Sequence, residues 1–231
     1  MDSVTGITLP QALHGDAEQA VEYLRRYYSA RLESVPEDER TLFDGAFFDH
    51  WVPEDPNPNV FTADDIVAVQ CLGTPLRKWS AAVKILHQET GRLSGLLIDV
   101  GHDRDLATVP AGEITPEWPA WRLKSELQKI TGVGPVVASK LIARKRPHLY
   151  PIQDTQIRRL TGLSASDFLR PFHQEWAGNQ ELQEQLGDAR KRAGLEGRIS
   201  LLRTFDVVAW MEQRDIDRRE ETTGPFSRIP L

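Results

Sequence analysis

Apolar side chains recur three or four residues apart along most of the chain. Val21, Leu24, Tyr28 and Leu32 mark one helical face within residues 17–32. Thr62 stands three before Asp65 and caps an apolar run through Ile66, Val67, Val69, Cys71 and Leu72, which Gly73-Thr74-Pro75 stops. Leu76, Trp79, Ala82, Val83 and Leu86 predict a second helix that ends at Gly91 and buries those five side chains. Residues 93–101 suit either a helix or a strand, and the lack of a partner strand nearby favours a helix.

Further along, Leu123, Leu127 and Ile130 keep helical spacing up to the turn Gly132-Val133-Gly134. Pro135 then opens a helix that buries Val136 or Val137, Ala138, Leu141 and Ile142, and Pro147 closes it. Residues 154–160, 166–178 and 180–193 read as three more helices. A terminal helix over 199–214 buries Leu201, Leu202, Phe205, Val208, Ala209 and Met211, with Trp176 and Trp210 in the core and Arg203 paired to Asp206 at i, i+3. The prediction is an all-α fold. Its core spans 61–215, an aromatic N-terminal segment over 1–60 packs on that core, and 216–231 form an extended tail.

Composition narrows the chemistry. A single cysteine, Cys71, excludes an internal disulfide and a four-cysteine iron–sulfur cluster, and its apolar neighbours predict an inert buried thiol. Six histidines are scattered without i, i+4 pairs, so neither a metal site nor another cofactor is expected. No apolar run approaches the roughly 18 residues of a membrane span, and the first thirty residues lack a signal-peptide core, which predicts a cytoplasmic protein.

The net charge of −6 argues against nucleic acid as a partner, but its distribution argues the other way. Arg122, Lys124, Lys129, Lys140, Arg144, Lys145, Arg146, Arg158 and Arg159 face only Glu126 and Asp154 within residues 122–159. Either these are solvated helix faces or one side of the molecule meets an anion. The coincidence with the glycine turn favours the anion. Gly132 can take positive φ, Gly134 lets backbones approach, and the amides of Val133, Gly134 and Val136 can receive a phosphate oxygen that Lys140 reinforces. Asp154 precedes Thr155-Gln156-Ile157 and is a good N-cap, worth about 1 kcal/mol without any catalytic role.

The stretch LQKITGVGPVVASKLIARKRPHLYPIQDTQIRRL, residues 127–160, resembles the signature of the helix-hairpin-helix DNA glycosylase superfamily. That family places an aspartate about twenty residues after a GVG-type hairpin, and here it maps to Asp154. Residues 64–86 resemble the family's preceding helical half more loosely. The whole chain also resembles an uncharacterised actinobacterial family carrying similar ASKLIARKRP, PIQD and LRTFDVVAWM stretches.

The glycosylase resemblance implies DNA binding through Gly132, Val133, Gly134, Val136, Lys140, Arg144, Lys145 and Arg146, with Asp154 as the catalytic carboxylate. Bifunctional members carry a lysine nucleophile where this chain has Val136, so an enzyme of this kind would be a monofunctional hydrolase. Tyr150, His148, Trp79 and Trp51 are candidates to line a base pocket. The alternatives are a DNA-binding module without catalysis and a helical scaffold for a protein partner.

Overall fold

The computed structural model describes residues 6–52 and 55–223. Among them the regular structure is helical, without strands. The longer helices are α1 (Glu18–Tyr27), α2 (Ala63–Cys71), α3 (Trp79–Val83), α4 (Thr90–Val100), α5 (Pro119–Gln128), α6 (Pro135–Lys145), α7 (Thr155–Thr161), α8 (Leu169–Gly178), α9 (Gln180–Arg192) and α10 (Leu201–Thr223). Among the described residues no helix is long and apolar enough to cross a membrane.

Local chemistry sets most of these boundaries. Thr62 and Asp65 exchange hydrogen bonds in a capping box at α2, Pro119 and Pro135 open α5 and α6, and Asn179 Oδ1 accepts the Leu182 amide at α9. Helix α10 runs to Thr223, so 216–223 are helical rather than part of an extended tail; 224–231 lie outside the described residues. Its first half, residues 202–213, is buried almost all round, through Leu202, Phe205, Val207, Val208, Ala209 and Met211, and is a central strut.

Two groups of helices pack around this frame. Helices α4, α5 and α6 pack in succession, with α2 against α6, while α1, α7 and α9 pack on α10. Trp176 is core as expected, stacked on Phe172 and edge-on to Phe205.

Helix α3 departs from its predicted face. Trp79 is 82% exposed and Val83 is exposed, whereas Ala81, Ala82 and Ile85 are buried. The cause is the turn before α6. Gly132 has φ +102°, and a Cβ placed there would lie 3.4 Å from the Lys78 Cβ and 3.5 Å from the Ala81 Cβ. Only a small side chain fits against that turn, so the alanine face packs inward and the tryptophan face turns out. A single π-type turn over Lys84–Gln88 then shifts the phase before α4 begins.

The basic stretch of α6 is mostly interior. Arg146 is buried and donates five hydrogen bonds: Nε to Gly101 O, Nη1 to Pro58 O and Lys145 O, and Nη2 to Asn59 Oδ1 and Leu97 O. Lys145 Nζ lies 2.7 Å from both Asp55 and Asp65 and donates to Asn57 O. Arg144 donates to Phe48 O and Val52 O. These cations satisfy the carbonyls of Phe48, Val52, Asn57 and Pro58 in the stretch before α2. Replacing Arg146 with Met strands those acceptors, and urea unfolding is expected to show a loss of roughly 3 kcal/mol or more.

Candidate active site

Asp154 occupies the N-cap of α7. Its Oδ1 accepts the Gln156 amide at 3.0 Å, and its backbone is extended at φ −82°, ψ 157°. The other oxygen, Oδ2, accepts from Lys140 Nζ at 2.8 Å. Lys140 is only 1% exposed, and its remaining donors go to Thr74 Oγ1 at 2.7 Å and Leu72 O at 3.1 Å. All three N–H groups of this amine are therefore in use.

Beside this pair lies a cavity of about 200 Å³. Its walls carry the rings of Tyr27, Phe43 and Trp210, the carboxylates of Asp44, Asp154 and Asp206, the cations of Lys140 and Arg203, and the apolar surfaces of Cys71, Leu72 and Ile152. Tyr27 stacks on Phe43 with centroids 5.3 Å apart, and Trp210 meets Phe43 edge-on at 6.2 Å. A cavity of about 150 Å³ holds a benzene ring, so this one suits a single flat heterocycle rather than a drug-sized ligand.

A second polar knot closes the far wall. Arg203 reaches Asp49 through Nε at 3.0 Å and Asp206 through Nη1, and its Nη2 donates to Tyr27 Oη and Gly45 O. Its guanidinium also lies against the Tyr27 and Phe48 rings. Burial alone would lower its pKa, but the facing oxygens of Asp49, Tyr27, Tyr28 and Asp206 hold it well above the ordinary arginine value. Asp206 is pushed up to about 6, chiefly by burial, with Arg203 opposing and Asp154 adding to the rise.

An open groove of about 870 Å³ runs over the turn before α6 and is lined by Gly132 to Val137, Gly73 to Pro75, Arg77, Gln156 and Arg159. It shares Leu72, Gly73, Asp154 and Trp210 with the aromatic cavity, so the two meet around Asp154. The Ala138 amide makes the first bond of α6, to Gly134 O, which leaves the amides of Val136 and Val137 at the open helix start. The Val133 amide instead donates to Ile130 O, and its side chain is buried, so Val133 shapes the turn and offers no donor.

Gly134 is extended, and a Cβ there would meet nothing within 4 Å, so the close approach belongs to Gly132 alone. Lys140, Arg144, Lys145 and Arg146 do not present their charges to this groove. The cations on it are Arg77 and Arg159, the latter paired to Asp217.

A family of unknown function, DUF6308, matches residues 20–213. The chain belongs to that family. No curated protein and no solved structure matches. In this DUF6308 member the aromatic residues singled out from the sequence lie elsewhere. Tyr150 is buried against Trp118, His148 pairs with Asp103, Trp51 donates to Asp64, and Trp79 is exposed. The tryptophan at the cavity is Trp210, which is half-buried rather than core, and Cys71 is likewise half-buried on the cavity wall, its thiol pKa raised by burial.

Tyr27 and Phe43 escaped the sequence reading because they come from separated segments, and Asp206 was legible only as the partner of Arg203, not as part of a cavity wall. The raised pKa of Asp206 has a definite sign. A carboxyl with a folded pKa near 6 contributes stability that is full below the unfolded value of 3.8 and lost as pH rises through 6. Between pH 4 and 6, Asp206→Asn removes that downward contribution, so denaturant unfolding across this window should show the variant's stability rising more steeply with pH than the wild type's.

Proposed function

We propose that this chain is a helix-hairpin-helix nucleic-acid-binding protein of the DNA glycosylase type, acting as a monofunctional hydrolase. The observation that carries the reading is the junction of groove and cavity at Asp154: a groove over the open amides of a helix start and a ring-sized aromatic cavity share that one carboxylate in their walls. The amides of Gly134, Val136 and Val137 receive a backbone phosphate. One nucleotide leaves the stack, and its base enters the cavity against the ring cluster of Tyr27, Phe43 and Trp210.

Asp154 then faces the sugar. Each carboxylate oxygen keeps a lone pair beyond its present hydrogen bond, so the group can orient a water and stabilise positive charge at C1′ as the C1′–N bond breaks. Water adds its oxygen to C1′, and the base departs with a proton. Lys140 positions the carboxylate. With its donors all engaged it is not an amine nucleophile, which agrees with hydrolysis and not with a lyase step.

The engagement of both Asp154 oxygens also favours a second reading, a binding module in which Asp154 is only a cap and a partner for Lys140. Two variants separate the readings. Gly134→Val adds a side chain whose Cβ meets nothing within 4 Å, so the fold should survive while DNA affinity falls roughly tenfold or more at every sequence. Asp154→Asn leaves Lys140 without its charge partner, so it is compared with Asp154→Asn/Lys140→Met, both checked for folding. On DNA carrying base lesions, base release by wild type should drop about a hundredfold or more in both variants while salt-dependent binding persists. Binding without release from any substrate would leave the module, and an absence of binding would remove both readings.

A further inference from the structure

Trp79 is the most exposed large apolar side chain described, at 82%, and the fold makes no use of its ring. Helix α3 buries Ala81 and Ala82 instead, and the turn after it buries Ile85. Its neighbours in sequence, Arg77 and Lys78, are exposed, and among the described residues neither pairs with a carboxylate. Val83, one turn on, extends the apolar face.

The position of this patch is set by packing. Lys78 and Ala81 lie against Gly132, and Arg77 lines the groove that holds Gly134 and Asp154. An exposed indole with two unpaired cations therefore borders the hairpin.

We infer that Trp79 is a stacking platform for an unpaired base of the bound strand, with Arg77 and Lys78 holding the flanking phosphates, so that the protein prefers single-stranded or locally unpaired nucleic acid to intact duplex. The inference rests on the nucleic-acid reading above and adds the state of the strand. Unpaired cations beside the ring favour a polyanion over a protein surface, and only a base outside a duplex stack offers a free π-face to a side chain projecting from a helix. The site differs from the cavity beside Asp154, to which Trp79 contributes nothing.

The test uses the full chain with a short single-stranded oligonucleotide and the same sequence as duplex, binding wild type, Trp79→Ala, Trp79→Phe and Gly134→Val. Single-strand affinity should fall roughly five- to a hundredfold in Trp79→Ala, the range of base–aromatic stacking, with partial recovery in Trp79→Phe and little change on duplex. The wild-type tryptophan emission quenched by the single strand should exceed that in Trp79→Phe.

Unchanged single-strand affinity in Trp79→Ala would overturn the platform while leaving the hairpin reading intact, provided Gly134→Val still weakens binding. An equal loss on both substrates would also overturn it, because a contact indifferent to pairing is not base stacking. If wild type binds neither substrate, the nucleic-acid reading falls and the platform with it.

Discussion

The buried amine of Lys140 is the contact on which the site depends. A charge placed where only 1% of the residue is exposed costs several kcal/mol unless it is fully partnered, and its partners come from two other places in the chain. Leu72 and Thr74 belong to the loop after α2, Asp154 opens α7, and Lys140 itself sits in the middle of α6. Satisfying one amine therefore fixes the loop that walls the groove, the helix behind the hairpin, and the carboxylate at the cavity. Any shift of α7 relative to α6 would leave the amine short of an acceptor.

The same logic explains why so much positive charge lies inside a protein of net charge −6. Arg144, Lys145 and Arg146 follow Lys140 around α6 and reach carbonyls and carboxylates of the segment before α2, while Arg203 gathers Asp49, Asp206, Tyr27 and Gly45 across the chain. Cations with several donors suit this work, since each can satisfy acceptors from separate loops that have no backbone ladder of their own. The acidic remainder of the sequence includes the carboxylates they neutralise, such as Asp55, Asp65 and Asp49. A basic run in a sequence is thus not in itself a basic surface.

What remains open to a ligand is small and coherent. The hairpin contributes backbone donors, the cavity contributes rings and the carboxylates of Asp44, Asp154 and Asp206, and both meet where Leu72, Gly73, Asp154 and Trp210 are shared. The tension at the centre is that Asp154 serves the fold and faces the cavity at once. A carboxylate held by a helix amide and an amine is rigid, and rigidity of that kind is an asset to a reacting group and equally the mark of a structural cap.

The sequence alone determined much of what depends on neighbours three or four residues apart: most of the helices, the capping box at Thr62, the proline starts of α5 and α6, Asp154 as an N-cap, the glycine at Gly132 that allows positive φ, and the Arg203–Asp206 pair. These are local because helical hydrogen bonds and side-chain faces repeat within a single turn. Tertiary structure alone decided which face of α3 turned inward, since the Gly132 turn admits Ala81 and not Trp79. It alone sent Lys140 to Asp154 and Arg146 to the loops, and drew Tyr27, Phe43 and Trp210 to one cavity. Those contacts join residues from distant segments, and only the packing of helices against one another decides which acceptor a long cationic side chain reaches and which ring is left in solvent.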